Sequence, residues 1–115
     1  MSDSVHIDRE LSAARLAWEQ GQDGKARVCA RRAVAAADRA WLSVAGDPLW
    51  QGDALAHLRR IQQQKAFPNQ VRQAAERLTT AVTRRHDAPF TSDPVSDAAL
   101  IIAHLTVDLP GALLP

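Results

Sequence analysis

DGKARVCARRAVAAADRAWL, residues 23–42, is the stretch whose reading decides the fold. At helical spacing, Ala26, Ala30, Ala33, Ala37, Ala40 and Trp41 fall on one side, with Val34 at its border. This is the three-four alternation of a packed helical face. The face is mostly alanine, so a neighbouring backbone can approach closely, and Trp41 fills its wider end. Val28, Ala35 and Leu42 fall on the opposite side. A helix apolar on two sides belongs at the centre of a bundle or is shared with a second chain. Lys25, Arg32 and Arg39 recur every seven residues along one edge; Arg27 and Arg31 lie along the other. Asp23 and Asp38 are the only acids in the stretch, and Asp23 suits the positive end of the helix. Two readings of the cations stand side by side. Their stems can cover apolar surface while the heads stay in water, or they can form an anion or RNA-phosphate surface.

The composition bounds what surrounds this helix. At 115 residues the chain forms one domain with room for a true core. Residues 1–108 read as a single helical domain and residues 109–115 as an irregular apolar tail. The formal net charge is +1 and the pI about 8.0, so any basic surface is local. The single cysteine, Cys29, excludes an internal disulfide and suits a reducing compartment. The N-terminus, MSDSVHIDRE, is polar and does not read as a signal peptide. No apolar run reaches the length of a membrane span. A cytoplasmic protein with no membrane association is expected.

Outward from the centre, Ile7, Leu11, Ala14 and Trp18 form an amphipathic stripe, predicting a helix over 4–20. Gly21 and Gly24 bracket a turn into the central helix, 23–43, which suits an antiparallel hairpin. The glycines and proline of SVAGDPLWQGD then break the helix. Asp53 caps a third helix over 53–65, with Leu55, Leu58 and Ile61 facing inward. Pro68 or Asn69 opens a fourth over 69–85, with Val71, Ala74, Ala75, Leu78 and Val82 inside. HDAPFTS reads as a loop. Asp93 followed by Pro94 is a cap and a proline at the first helical position, opening a fifth helix over 93–106. Its inner face is Val95, Ala98, Ala99, Ile102 and Leu105. Alternating strand patterns are absent, so the chain reads as an all-α, up-and-down bundle of about five helices. Trp18 and Trp41 are expected in the core. Trp50, in the glycine-proline connection, is expected exposed or at an interface.

Chemistry-bearing motifs are sparse. The four histidines, His6, His57, His86 and His104, share no turn of helix and match no zinc pattern. His6 and His57 are expected at the surface and His104 near a helix end. No nucleophile elbow, phosphate-cradling glycine loop or Rossmann signature occurs. No metal, cofactor or catalytic residue is expected. The first hairpin mimics one tetratricopeptide unit, but a solenoid needs about three units to bury its faces. Arg84, Arg85 and His86 close the expected fourth helix. They either balance its negative end or form a polar pocket for phosphate or nucleotide, with His86 able to titrate near neutrality.

Two stretches together resemble a known family. GKARVCARRAVAAA, residues 24–37, resembles the second helix of small HEPN-like helical proteins of the uncharacterised stand-alone type. ERLTTAVTRRHDAPFTSDPVSDAALIIAHL, residues 76–105, resembles their closing segment of helix, basic turn, short loop and capped final helix. The resemblance implies an up-and-down bundle that homodimerises. It also implies a role as partner of a nucleotidyltransferase-like protein, as in antitoxin pairs, or as a toxin-type ribonuclease, or as a stand-alone protein. Ribonuclease members carry an Arg followed after four to six residues by a His. No Arg in this chain has a His at that spacing. Arg85 is adjacent to His86, and adjacent side chains on a helix point about 100° apart.

The expected function is therefore a non-catalytic, homodimeric, HEPN-like module that binds a protein or a nucleotide or RNA partner. Lys25, Arg27, Arg31, Arg32, Arg39, Arg84, Arg85 and His86 are the candidate anion- or nucleotide-binding residues. One alternative is a metal-independent ribonuclease with a displaced site at Arg84, Arg85 and His86. Another is a purely structural interaction protein. The homodimer is expected from the two-sided central helix and from spare apolar groups at Leu49, Trp50, Phe90, Leu109, Leu113 and Leu114, with Arg27 and Arg31 paired to acids of the second chain.

Overall fold

The structure, a computed structural model, describes residues 2–80 and 93–107. These form an all-α bundle of five helices: α1 (Ser2–Glu19), α2 (Asp23–Ala45), α3 (Ala54–Gln63), α4 (Asn69–Thr79) and α5 (Pro94–Val107). No strand occurs among the described residues, and none of these helices is long and apolar enough to cross a membrane. Helix α2 touches all four others, α1 most extensively, followed by α5, α3 and α4. Its alanine face is buried along its whole length from Ala26 to Trp41. Part of the opposite side is covered too. Ala35 and Leu42 are buried within this one chain, while Val28 stays exposed.

Local signals in the sequence account for the helix ends. Gly21 has φ +75°. Its N–H donates to the Trp18 carbonyl at 3.1 Å and that of Gln22 to the Ala17 carbonyl at 2.8 Å, the paired bonds of a Schellman turn. This left-handed residue turns α1 back on α2. Asp53 caps α3 by accepting from the Ala56 N–H at 2.8 Å, and Asp93 caps α5 by accepting from the Val95 N–H at 2.8 Å.

Helix α4 ends at Thr79, short of the expected Arg85, because its last carbonyls have other donors. Thr79 Oγ1 and Thr80 Oγ1 both donate to the Glu76 carbonyl, at 2.7 and 2.9 Å. Arg27 takes the Arg77 carbonyl and Arg31 the Leu78 carbonyl. Hydroxyls that bond back to the chain in this way compete with helix continuation. Val82, the HDAPFTS loop, Phe90 and the tail 109–115 lie outside the described residues.

The core contains Leu58, Ile61, Leu78, Ile101 and Leu105 with no exposed surface. Ile101 joins it beside the expected Ile102. Trp41 is buried and meets Phe67 edge-to-face at 5.4 Å. Trp18 is only partly buried and packs against the core from its margin.

Candidate functional site

The polar side chains of the bundle fall into two groups, those consumed by the fold and those that face solvent. The first group is consumed by the fold. Asp38 is fully buried among the alanines of α2. It receives a hydrogen bond from His57 Nδ1 at 2.7 Å and an ion pair from Arg60, whose Nε lies 3.1 Å from Oδ2 and whose Nη2 binds Oδ1. An ionised carboxylate only accepts, so Nδ1 of His57 carries the proton. This corrects the surface placement expected for His57, which is 1 % exposed. The imidazole lies on the inner stripe of α3, three residues after Ala54 and one before Leu58. Trp50 covers it edge-on at 4.6 Å. Trp50 is thus half-buried, packed against its own chain's core. It can approach because Gly52 has no side chain: a Cβ there would lie 2.7 Å from the Trp50 ring and 2.8 Å from the Ala56 Cβ. Arg60 also stacks over the Trp41 ring, 5.0 Å from its centroid.

Three further arginines of this group terminate helices. Arg72 Nε donates to the Gln62 carbonyl at the end of α3, at 2.9 Å. Arg27 Nη1 donates to the Arg77 carbonyl at 3.0 Å, and Arg31 Nε to the Leu78 carbonyl at 2.7 Å. Both sit at the negative end of α4, where orphan carbonyls need donors and cations are favoured. Burial, and then the charge of Arg27, push the Arg31 guanidinium below its ordinary value. Arg77 binds Asp97 through Nε at 3.1 Å and Nη2 at 2.8 Å. The hydrogen bond to Asp97 is the main cause that holds Arg77 above its ordinary value. Two candidate anion-binding residues, Arg27 and Arg31, are therefore occupied within the chain.

The second group faces solvent. Lys25, Arg32 and Arg39 are exposed along one edge of α2. Arg32 and Arg39 line an open groove of about 390 Å³ with His6 and Glu10 of α1, Ala35 of α2 and Ala54 of α3. The side chains of His6, Glu10, Arg32 and Arg39 make no hydrogen bond or ion pair with any described residue. Ala35 lies between the two arginines on the helix surface, three residues after one and four before the other. It forms a small floor between two long cationic walls. The Asp38–His57 bond, with Arg60, joins α2 to α3 as a buried lock. Asp38 is three residues beyond Ala35 and His57 three beyond Ala54, so the bond lies about one helical turn along from the two alanines of the groove.

Arg84, Arg85 and His86 lie outside the described residues. Among the described residues, no group of three or more His, Cys, Asp or Glu side chains is placed to hold a metal ion. The sequence identifies the cationic edge but not the contributions of His6 and Glu10, which come from a different helix. No known family model, curated protein or solved structure matches the chain.

Proposed function

We propose that this chain is a non-catalytic, HEPN-like helical module that binds RNA or a nucleotide through the cationic edge of α2. One observation carries the reading. Arg27, Arg31, Arg60, Arg72 and Arg77 are each bonded within the fold, whereas Arg32 and Arg39 share a groove and bond to no described residue. Exposed guanidinium groups with free donor forks match phosphate oxygens in charge and geometry. The edge is long enough for several phosphates. At 1.5 Å rise per residue, Lys25, Arg32 and Arg39 follow one another at roughly 10.5 Å intervals. Helix α2 is rigid because every other helix packs on it, so the cations are presented on a fixed frame.

Fluorescence anisotropy with a labelled single-stranded RNA tests the reading. The protein is expected to bind the RNA and to leave it intact, with affinity falling as salt rises. Affinity left undiminished by loss of both Arg32 and Arg39 would contradict it, as would cleavage of the RNA by purified protein.

A homodimer is the second part of the proposal. It is supported by exposed apolar side chains on the first hairpin, where Leu16 is 56 % and Val28 41 % exposed. Both lie within about two helical turns of Gly21. Closed two-fold pairing of the hairpins would remove them from water. Sedimentation equilibrium is expected to give twice the chain mass of 12.5 kDa, and a single species at the monomer mass would end this part.

A further inference from the structure

We infer that the groove between Arg32 and Arg39 is a pocket for one terminal phosphomonoester, carried by a mononucleotide or by the end of an RNA strand. The inference rests on the proposed RNA or nucleotide binding and specifies which group the groove reads.

The two arginines flank Ala35, with Ala54 of α3 also lining the groove. Their Cα atoms are separated by two helical turns, roughly 10.5 Å, and their long side chains can converge on a point above Ala35. A phosphomonoester presents three terminal oxygens and a charge of about −1.5 to −2. That is enough to engage two guanidinium forks at once. A phosphodiester has one charge and two free oxygens, which a single fork satisfies. The groove, open to solvent and about 390 Å³ in volume, has room for a phosphate group.

The remaining lining residues favour an end over a threaded strand. Ala54 opens α3, but the Asp53 carboxylate caps that helix end, so the positive field of the groove comes from the two arginines. His6 supplies a further ring nitrogen from α1. Glu10, on the same wall, repels any phosphate near it and so favours a position close to the arginines, while its carboxylate can accept from a sugar hydroxyl. A strand is therefore admitted by its terminal phosphate, and Lys25, farther along the edge, meets the next phosphate outside the groove.

The test compares one single-stranded RNA of about ten nucleotides, a length typical of one small binding domain, carrying a 5′-phosphate, a 3′-phosphate or hydroxyls at both ends. Adenosine monophosphate, adenosine and inorganic phosphate serve as competitors. One or both phosphorylated strands are expected to bind about tenfold tighter than the hydroxyl form, the increment of a charge-assisted hydrogen-bond pair. Adenosine monophosphate, but not adenosine, is expected to compete. Competition by the mononucleotide without a preference among strands identifies the free nucleotide as the ligand. A strand preference without such competition identifies the RNA end.

Arg32→Ala and Arg39→Ala are each expected to abolish the preference, and the double variant to lose no more, because both residues hold one group. Lys25→Ala is expected to weaken all strands equally and leave the ratio intact. Thermal unfolding of these variants should match the parent, since none of the three side chains is bonded to a described residue. Equal affinity for all strands with no competition by the mononucleotide overturns the pocket while leaving RNA binding in place. Absence of any binding removes both.

Discussion

Asp38 Oδ2 and His57 Nδ1 lie 2.7 Å apart in an interior where the two side chains are 0 and 1 % exposed. A buried carboxylate is costly unless paired and hydrogen-bonded. Here the His57 N–H and the Arg60 guanidinium fill its acceptor sites. The bond joins α2 to α3 across the only acid buried in the alanine face of α2, and so fixes the two helices whose alanines line the groove.

Asp38→Ala should therefore be among the most damaging single substitutions. It leaves Arg60 and His57 without their shared acceptor, and breaking such a pair costs about 3–5 kcal/mol. His57→Phe keeps the ring shape against Trp50 and leaves Arg60 on the carboxylate, so the expected loss is smaller, about 1.5–3 kcal/mol. Urea unfolding followed by circular dichroism measures both. Equal losses, or a change below about 1 kcal/mol for Asp38→Ala, would show that the cluster is not a lock.

Gly21 and Gly24 look alike in the sequence but should respond oppositely to alanine. A Cβ added at either would meet no atom within 4 Å, so space is not the issue. Gly21 has a positive φ of 75°, which costs an L-residue roughly 1–2 kcal/mol. Gly24 lies inside the first turn of α2, where alanine reduces chain entropy in the unfolded state and stabilises by about 0.5–1 kcal/mol. Thermal melts of Gly21→Ala and Gly24→Ala should shift in opposite directions, and shifts of the same sign would contradict the turn geometry.

Arg27 and Arg31 make similar bonds to α4 but should differ in worth. Arg27 is 8 % exposed and its loss uncaps the Arg77 carbonyl. Arg31 is less enclosed than Arg27 and is already disfavoured as a cation, first by burial and then by the charge of Arg27, so its removal recovers a desolvation cost. Arg27→Ala is expected to cost about 1.5–3 kcal/mol, the range for a hydrogen bond from a charged donor, and Arg31→Ala clearly less. Denaturant midpoints in the reverse order would contradict this account of the α4 terminus.

Much of this is legible in the sequence, and the omissions have physical causes. The helices announce themselves through three-four apolar spacing, the Gly21 turn and the Asp53 and Asp93 caps, all local signals. The buried lock also leaves a trace. Asp38 interrupts AVAAADRAWL on its inward side, and His57 falls in register with Ala54, Leu58 and Ile61. Histidine reads as a surface residue by default because its partner is nineteen residues away, and nothing local reports the pairing. The same holds for Arg27 and Arg31, whose acceptors lie 50 and 47 residues on. Spacing alone carries α4 too far, because the residues that stop it include arginines from another helix. The groove is half legible: the seven-residue spacing of Arg32 and Arg39 is a pattern within α2, but His6 and Glu10 join them only through the packing of α1.

The central claim is that Arg32 and Arg39 form a phosphate-binding surface while the bonded arginines serve the fold. The most direct measurement is the salt dependence of affinity for single-stranded RNA, taken for the parent and for the Arg32→Ala/Arg39→Ala double variant. Each phosphate contact contributes about −0.7 to the slope of log K against log salt on single strands. Loss of one phosphate group held by both arginines should flatten the slope by about 0.7 to 1.4, the upper figure applying if each meets its own charge, with the melting temperature unchanged. An unchanged slope and affinity, or a fall in binding that merely tracks unfolding, would contradict the claim.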